Sequence, residues 1–249
     1  MTLSLFVRNV VYWIVLSVGC VMAFCAIFCL LPFSTRRRYQ AGQIWPLLAM
    51  WLLNNVIGLR YEVENHNAEM CGSVIIASKH QSGWETFALQ SIFKHIVFVA
   101  KKELLRIPFF GWGLALIGTI SIDRKAGRQA SNQLMTQGKK RLEQGFNIVI
   151  FPEGTRIPAG KIGNYKSGVS RLALNLGLPI TPVAHNAGEY WPRNAFFKYP
   201  GVIRVVIGQP IETQGKTSEA ITQELADWIE AQQRQIEGVG PFFRPSTQP

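Results

Sequence analysis

Residues 73–93 read Ser-Val-Ile-Ile-Ala-Ser-Lys-His-Gln-Ser-Gly-Trp-Glu-Thr-Phe-Ala-Leu-Gln-Ser-Ile-Phe. A short β-branched apolar run, Ser73–Ala77, passes through a polar loop into a helix-like stretch, Trp84–Phe93. A strand feeding a helix through a few polar residues is the unit from which parallel sheets are built. The pattern recurs at Asn147–Phe151, which leads through a Gly- and Lys-bearing loop to a helical stretch at Ser167–Leu176.

Further strand candidates are Ile96–Ala100, Thr119–Ile122, Ile180–Ala184 and Ile203–Ile207. Helix candidates near Phe110–Leu116 and Arg128–Gln144 lie between them. A last helix, Ser218–Ile236, carries Ile221, Leu225, Trp228 and Ile229 at helical spacing. The expected fold is α/β, a mostly parallel central sheet flanked by helices, with an N-terminal membrane-anchoring helix or helical hairpin. Residues 1–60 are read as the anchor and interfacial helix, and 61–249 as a cytoplasmic catalytic domain. The tail beyond Gly238, with Pro241, Pro245 and Pro249, opposes regular structure.

The anchor rests on charge. No charged residue stands between Arg8 and Arg36, and Val10–Leu31 is almost wholly apolar. A helix crossing the bilayer core needs about 20 such residues. The run is long for a signal peptide, and no small-residue cleavage pattern follows it. Arg36, Arg37 and Arg38 lie just beyond, so the basic excess predicts an inner-membrane protein whose C-terminal body faces the cytoplasm. A second uncharged stretch, Tyr39–Leu59, contains Trp45 and Trp51. Its apolar part, Ile44–Leu53, is too short to span. An interfacial helix and a core helix both fit it.

The 249 residues carry 26 Lys and Arg against 15 Asp and Glu, a formal charge of +11, yet only 16% are charged. Such a basic chain suits an anionic lipid surface or an acidic carrier. Neither zinc-finger spacing nor an RNP-like run supports nucleic acid as a partner. Cys20, Cys25 and Cys29 lie in the apolar run and Cys71 stands alone, so neither a disulfide framework nor a metal site is expected.

Two loops carry the chemistry. His80 precedes Glu85 by five positions, and a regular helix would leave them about 140° apart. They meet only if His80 sits in the loop and Glu85 in the first helical turn, with Ser82 or Gly83 as N-cap. A carboxylate on one ring nitrogen fixes the tautomer and frees the other to take a proton. A capping carboxylate beside an idle histidine fits the same residues. Phe151-Pro152-Glu153-Gly154-Thr155-Arg156 combines a strand stop, a turn glycine and a forked anion donor. A charged surface turn is the alternative. Lys101 and Arg124, each just past a strand, are further anion candidates. His66, with Glu64 and Glu69 near it, reads as solvated surface, and His95 and His185 read as structural. A base with an orienting acid beside an arginine suggests group transfer to a phosphate-bearing alcohol.

These blocks resemble the PlsC-type glycerolipid acyltransferases, the 1-acylglycerol-3-phosphate acyltransferase family. His80 to Glu85 stands where that family has His-x4-Asp. Gly118-Thr119-Ile120-Ser121-Ile122-Asp123-Arg124 matches its Gly-x-x-x-Ile-Asp-Arg block, and 151–156 its Phe-Pro-Glu-Gly-Thr-Arg block unchanged. Leu178–Val183 matches its Pro-containing strand. Ala100–Leu105, with Pro108 and Gly111 after it, matches its Lys-rich segment. The blocks keep family order over roughly 73–185. Glu85 is a departure, since the family usually has aspartate there.

The resemblance implies transfer of a fatty acyl group from a thioester to the free hydroxyl of 1-acylglycerol 3-phosphate, giving phosphatidic acid. His80 would be the base and Glu85 its orienting partner. Glu153, Gly154, Thr155, Arg156, Arg124 and Lys101 would serve the acceptor. No metal or resident cofactor is implied, and acyl-CoA or acyl-carrier protein enters as co-substrate. The rival readings are an acyltransferase for another lysolipid, such as a lyso-ornithine lipid, a non-catalytic basic membrane-binding module, and a lipase or thioesterase. Against the last, Gly168-Val169-Ser170-Arg171-Leu172 lacks the second glycine of a nucleophile elbow.

Overall fold

The computed structural model describes residues 2–64 and 74–244. Ser73, His66, Glu69, Cys71, Pro245 and Pro249, named above, lie outside the described residues. The chain forms two compact units, each from two stretches: Met1–Val56 with Thr86–Ile148, and Ile57–Glu85 with Val149–Pro249.

The first unit opens with helix α1 (Leu3–Cys29), whose N-cap Thr2 accepts the Leu5 N–H at 3.3 Å. Its 27 residues make it long and apolar enough to cross a membrane, as expected of the Val10–Leu31 run. Phe6, Ile14, Val18, Met22 and Phe28 face outward, while Tyr12, Leu16, Ala23 and Ile27 are buried. Helices α2 (Thr35–Gly42) and α3 (Ile44–Leu52) follow, and both pack on α1. The Trp45 indole N–H donates to the Leu16 carbonyl at 2.9 Å. A Cβ at Gly19 would stand 2.6 Å from a Leu48 methyl, so glycine is what lets α3 approach so closely. The apolar part of the Tyr39–Leu59 stretch is therefore helix packed on α1, with Trp51 and Leu47 left outward, and Leu59 already belongs to the first strand.

The same unit holds strands β3 (Ile96–Lys101) and β4 (Ile120–Ile122), paired in parallel with Val99 against Ile120 and Lys101 against Ile122. Between them come a 3-10 turn (Lys102–Arg106) and α5 (Phe110–Leu116). After β4 comes α6 (Arg128–Glu143), whose glutamines serve the strand's backbone. Gln137 both accepts the Ser121 N–H at 3.0 Å and donates to its carbonyl at 2.8 Å, and Gln133 accepts the Asp123 N–H at 2.9 Å.

In the second unit the strand order is β1-β7-β6-β2-β5. The members are β1 (Leu59–Glu64), β2 (Ile75–Ser78), β6 (Ile180–His185), β7 (Gly201–Ile207) and β5 (Asn147–Ile150), at which the chain passes from one unit to the other. β1 pairs in parallel with β7, Leu59 opposite Gly201 through Glu64 opposite Val206. β2 runs parallel to β6, whereas β6 and β7 run antiparallel with Val183 opposite Ile207. Helices α7 (Gly168–Leu176) and α8 (Ser218–Ile236) complete this unit, and α4 (Trp84–Ile92) begins in it and continues in the first from Thr86. Ile221, Leu225 and Ile229 of α8 are fully buried, which is the helical period read from sequence.

The expected α/β class, mostly parallel and flanked by helices, is what the structure shows. From Val74 onward every strand and helix candidate forms, with ends moved by at most two residues, whereas α1 starts seven residues before the apolar run Val10–Leu31. Strand β1 is not among those candidates. Its Leu-Arg-Tyr-Glu-Val-Glu alternation is half polar, as suits a strand with one open face.

Candidate active site

β2 ends at Ser78, and Lys79 continues its pairing by donating its N–H to the Val183 carbonyl at 2.9 Å. The chain then leaves the sheet, and His80 stands at the lip of the second unit with 15% of its side chain exposed. The Ser82 hydroxyl accepts the Trp84 N–H at 3.1 Å and starts α4, which places Glu85 in the first turn.

Glu85 does two jobs with one carboxylate. Its Oε1 lies 2.6 Å from His80 Nδ1. It also accepts the Gln81 N–H at 3.2 Å and the Ser82 N–H at 2.9 Å, which pins the loop. The capping and the pairing readings of this residue are thus both satisfied. Glu85 is fully buried. Burial alone would raise its carboxyl, but the His80 hydrogen bond, followed by the charges of His185 and His80 and least by that of Arg156, outweighs that and holds it below the ordinary value. A carboxylate must receive a proton from Nδ1, so the lone pair of the neutral ring is on Nε2. Among the described residues no hydrogen bond is made to Nε2. The ring stacks on Phe151, centroids 4.0 Å apart and planes at 12°.

The turn after β5 clamps the same histidine. Glu153 Oε2 accepts the His80 N–H at 2.8 Å, and the Ile157 N–H donates to the His80 carbonyl at 2.8 Å. Gly154 takes φ +69°, where a side chain would be strained and would crowd Lys166. Thr155 is exposed and accepts from Arg193 Nη1 at 3.3 Å. Arg156 is half-buried beside Gly83: a Cβ on that glycine would lie 3.3 Å from the Trp191 ring and 3.8 Å from Arg156 Nη2. Arg156 Nε has no hydrogen-bond partner among the described residues.

Beneath the histidine is a buried ionic cluster. Lys79 has no exposed surface. Its Nζ lies 2.8 Å from Glu153 Oε1 and 2.6 Å from Glu230 Oε1 of α8, which also accepts the Tyr165 hydroxyl at 2.7 Å. Burial pushes the Glu153 carboxyl up, with Lys79 pulling it back. His185 is buried too. Its Nδ1 accepts the Ala187 N–H at 3.3 Å, so Nε2 carries the proton and donates to the Lys79 carbonyl at 2.9 Å. Burial lowers the pKa of that imidazole.

The structure gathers His80, Glu85, Glu153, Gly154, Thr155 and Arg156 in the second unit. Lys101 and Arg124 lie in the first, at exposed ends of the paired β3 and β4. Among the described residues no three of His, Cys, Asp and Glu converge as metal ligands. Sequence pattern does not point to Lys79, Tyr165 or Glu230, whereas the Asn186–Arg193 loop reads from sequence as one that could border a pocket, and its Arg193 reaches Thr155. Lys79 carries one signal, a lone cation between an apolar strand and His80. Glu230 and Tyr165 carry none, since they reach the site only through the folding of α8 and the 160s loop.

A family model described as Acyltransferase matches residues 60–186. A protein named 1-acyl-sn-glycerol-3-phosphate acyltransferase from Pseudomonas aeruginosa is 44% identical over 234 residues, 90% of this chain and 89% of that one. The chain belongs to the acyltransferase family. The alpha form of 1-acyl-sn-glycerol-3-phosphate acyltransferase from Mus musculus is 30% identical over 69% of the chain, which spans only 61% of that longer protein. The crystal structure of the 1-acyl-sn-glycerophosphate acyltransferase PlsC from Thermotoga maritima, 19% identical, aligns over 93% of this chain and 95% of that one with a TM-score of 0.77. At that identity it attests the fold of this acyltransferase. The family model begins at residue 60, one residue into β1, so it leaves out the three N-terminal helices.

Proposed function

We propose that this acyltransferase moves a fatty acyl group from a thioester to the free hydroxyl of 1-acylglycerol 3-phosphate, forming phosphatidic acid. The observation that carries the reading is the 2.6 Å contact of His80 Nδ1 with a buried Glu85, beside a half-buried arginine. Nε2 of His80 takes the proton of the acceptor hydroxyl as the oxygen bonds to the thioester carbonyl carbon. Collapse of the tetrahedral adduct breaks the C–S bond, and the histidine returns its proton to the departing thiolate. Glu85 stabilises the imidazolium between these steps. No acyl-enzyme forms, and no resident cofactor is needed.

Arg156 is the first choice for the acceptor phosphate, a forked donor with a free Nε. Gly154 and Thr155 give it room. Lys101 and Arg124 are assigned to the phosphate by the sequence blocks they stand in. The N-terminal segment 1–60, led by α1, holds the enzyme at the inner membrane, where acceptor and product both reside, and the body faces the cytoplasm. Acyl-CoA or acyl-carrier protein delivers the acyl group there.

The test is to incubate the purified protein with a panel of lysolipids and both donor types and to identify products by mass spectrometry. Phosphatidic acid from 1-acylglycerol 3-phosphate is the expected main product. Acylation confined to another lysolipid, or release of free fatty acid in its place, would overturn the reading.

A further inference from the structure

The buried lysine before the histidine has a consequence for the reaction. A buried ammonium is costly unless carboxylates surround it, and Lys79 has two. Everything about the residue is held: its N–H by Val183, its carbonyl by His185, its Nζ by Glu153 and Glu230. The partner that matters is Glu153. One of its oxygens faces Lys79 Nζ, and the other accepts the His80 N–H. Glu153 also opens the turn that returns the Ile157 N–H to the His80 carbonyl. Both peptide groups flanking the base are therefore fixed by a segment whose first carboxylate answers to Lys79. Glu153 is only 3% exposed, which turns it away from any phosphate in solvent and toward this inward role.

We propose that Lys79 is a positioning residue: through Glu153 it holds the His80 backbone, and so the imidazole, in the geometry that proton transfer requires, without touching either substrate. Glu230 and the Tyr165 hydroxyl complete the charge around its ammonium from the far side. The cluster leaves the base 15% exposed while its N–H and its carbonyl are both hydrogen-bonded to the 153–157 segment. Misplacement of a reacting group by about 1 Å can cost about 10²-fold in rate, so a relaxed Glu153 is expected to show in turnover and not in binding.

The inference rests on His80 being the base, and the experiment separates the two. Kinetics are measured on His80→Ala, Lys79→Met, Glu153→Gln and the double variant Lys79→Met with Glu153→Gln, each checked for a cooperative thermal transition. Lys79→Met is expected to lower kcat tenfold to a hundredfold with KM for both substrates within twofold of wild type. The double variant is expected to be no worse than the poorer single, because both act through one link. A Lys79→Met enzyme with kcat within twofold of wild type, or losses that multiply in the double, would overturn the proposal. If Lys79→Met does not fold, Glu153→Gln decides alone. It keeps the volume and an oxygen for the His80 N–H but loses the ion pair, so an unchanged kcat overturns the proposal and a tenfold loss at constant KM sustains it. An active His80→Ala would instead sink the assignment of the base itself.

Discussion

The two units use polar and apolar residues in opposite ways. The second buries Lys79, Glu85, Glu153, His185 and Glu189. The first leaves Phe6, Ile14, Val18, Met22 and Phe28 of one helix in the open. Buried charge and exposed large apolar surface are the two departures from ordinary partition that carry information. Buried charges persist where they are matched group by group, as around His80. Exposed apolar side chains persist where something other than water meets them. The contrast sets a unit whose buried charges are matched beside one whose first helix is long and apolar enough to cross a membrane.

The strongest way to break the first half is to remove the base. His80→Ala should lower kcat about 10²–10⁴-fold, the usual share of general-base assistance, while the thermal transition stays near that of wild type. Near wild-type turnover from this variant means that the buried network serves stability alone.

The second half yields to a charge on the exposed stripe of α1. Met22 is 67% exposed. Met22→Asp should weaken partition into vesicles by about 10²-fold, since an acidic residue at the centre of a spanning helix costs about 2.5–3.5 kcal/mol. Flotation that is indifferent to the aspartate would show that this face meets protein or water and not lipid.

Arg156→Ala sharpens the comparison inside the second unit. A charge-assisted hydrogen bond is worth about 1.5–3 kcal/mol. The acceptor KM should therefore rise about tenfold to a hundredfold, with the donor KM little moved. A rise in donor KM alone would put the phosphate elsewhere.

The smallest expected effect is in acid. The Glu85 carboxyl is depressed in the folded state, so its stabilisation is complete above the unfolded value of about 4.3 and is lost as pH falls through the folded one. The melting temperature of wild type should fall below about pH 4 more steeply than that of Glu85→Gln, by about 2–4 °C for each kcal/mol involved. Burial raises Glu153, which acts in the opposite sense, so the difference between the two proteins isolates Glu85. Parallel curves would mean that Glu85 gains nothing from its partners.

Local pattern tells most of this in advance. Strands such as Ile96–Lys101 and helices such as Phe110–Leu116 announce themselves because one face of each meets a core of neighbours close in sequence. His80 and Glu85 are legible for a related reason: the His80 ring and the Gln81 and Ser82 N–H groups that meet the Glu85 carboxylate lie within five residues of it. Glu230 is not, because it faces Lys79 from 151 positions away and looks in sequence like any acidic residue on a helix. Arg193 meets Thr155 across 38 positions, a pairing that local pattern does not show. Glu189 likewise accepts three backbone N–H groups from far along the chain, those of Gly238, Val239 and Gly240. Long-range polar pairs leave no periodic trace.

The register of β1 against β7 sets a clock on biosynthesis. Leu59 cannot find Gly201 until about 140 further residues have been made, which at 5–20 residues per second takes roughly 7–28 s. During that interval the newborn chain already displays its apolar first helix. Its β1 edge stays unpaired throughout, a state prone to wrong pairing. Early delivery of the ribosome to the membrane, or a chaperone over residues 59–64, would shelter the chain through that wait. Ribosome-bound chains stopped before Gly201 are expected to be cut by protease within β1, and chains stopped after Ile207 has left the exit tunnel to resist.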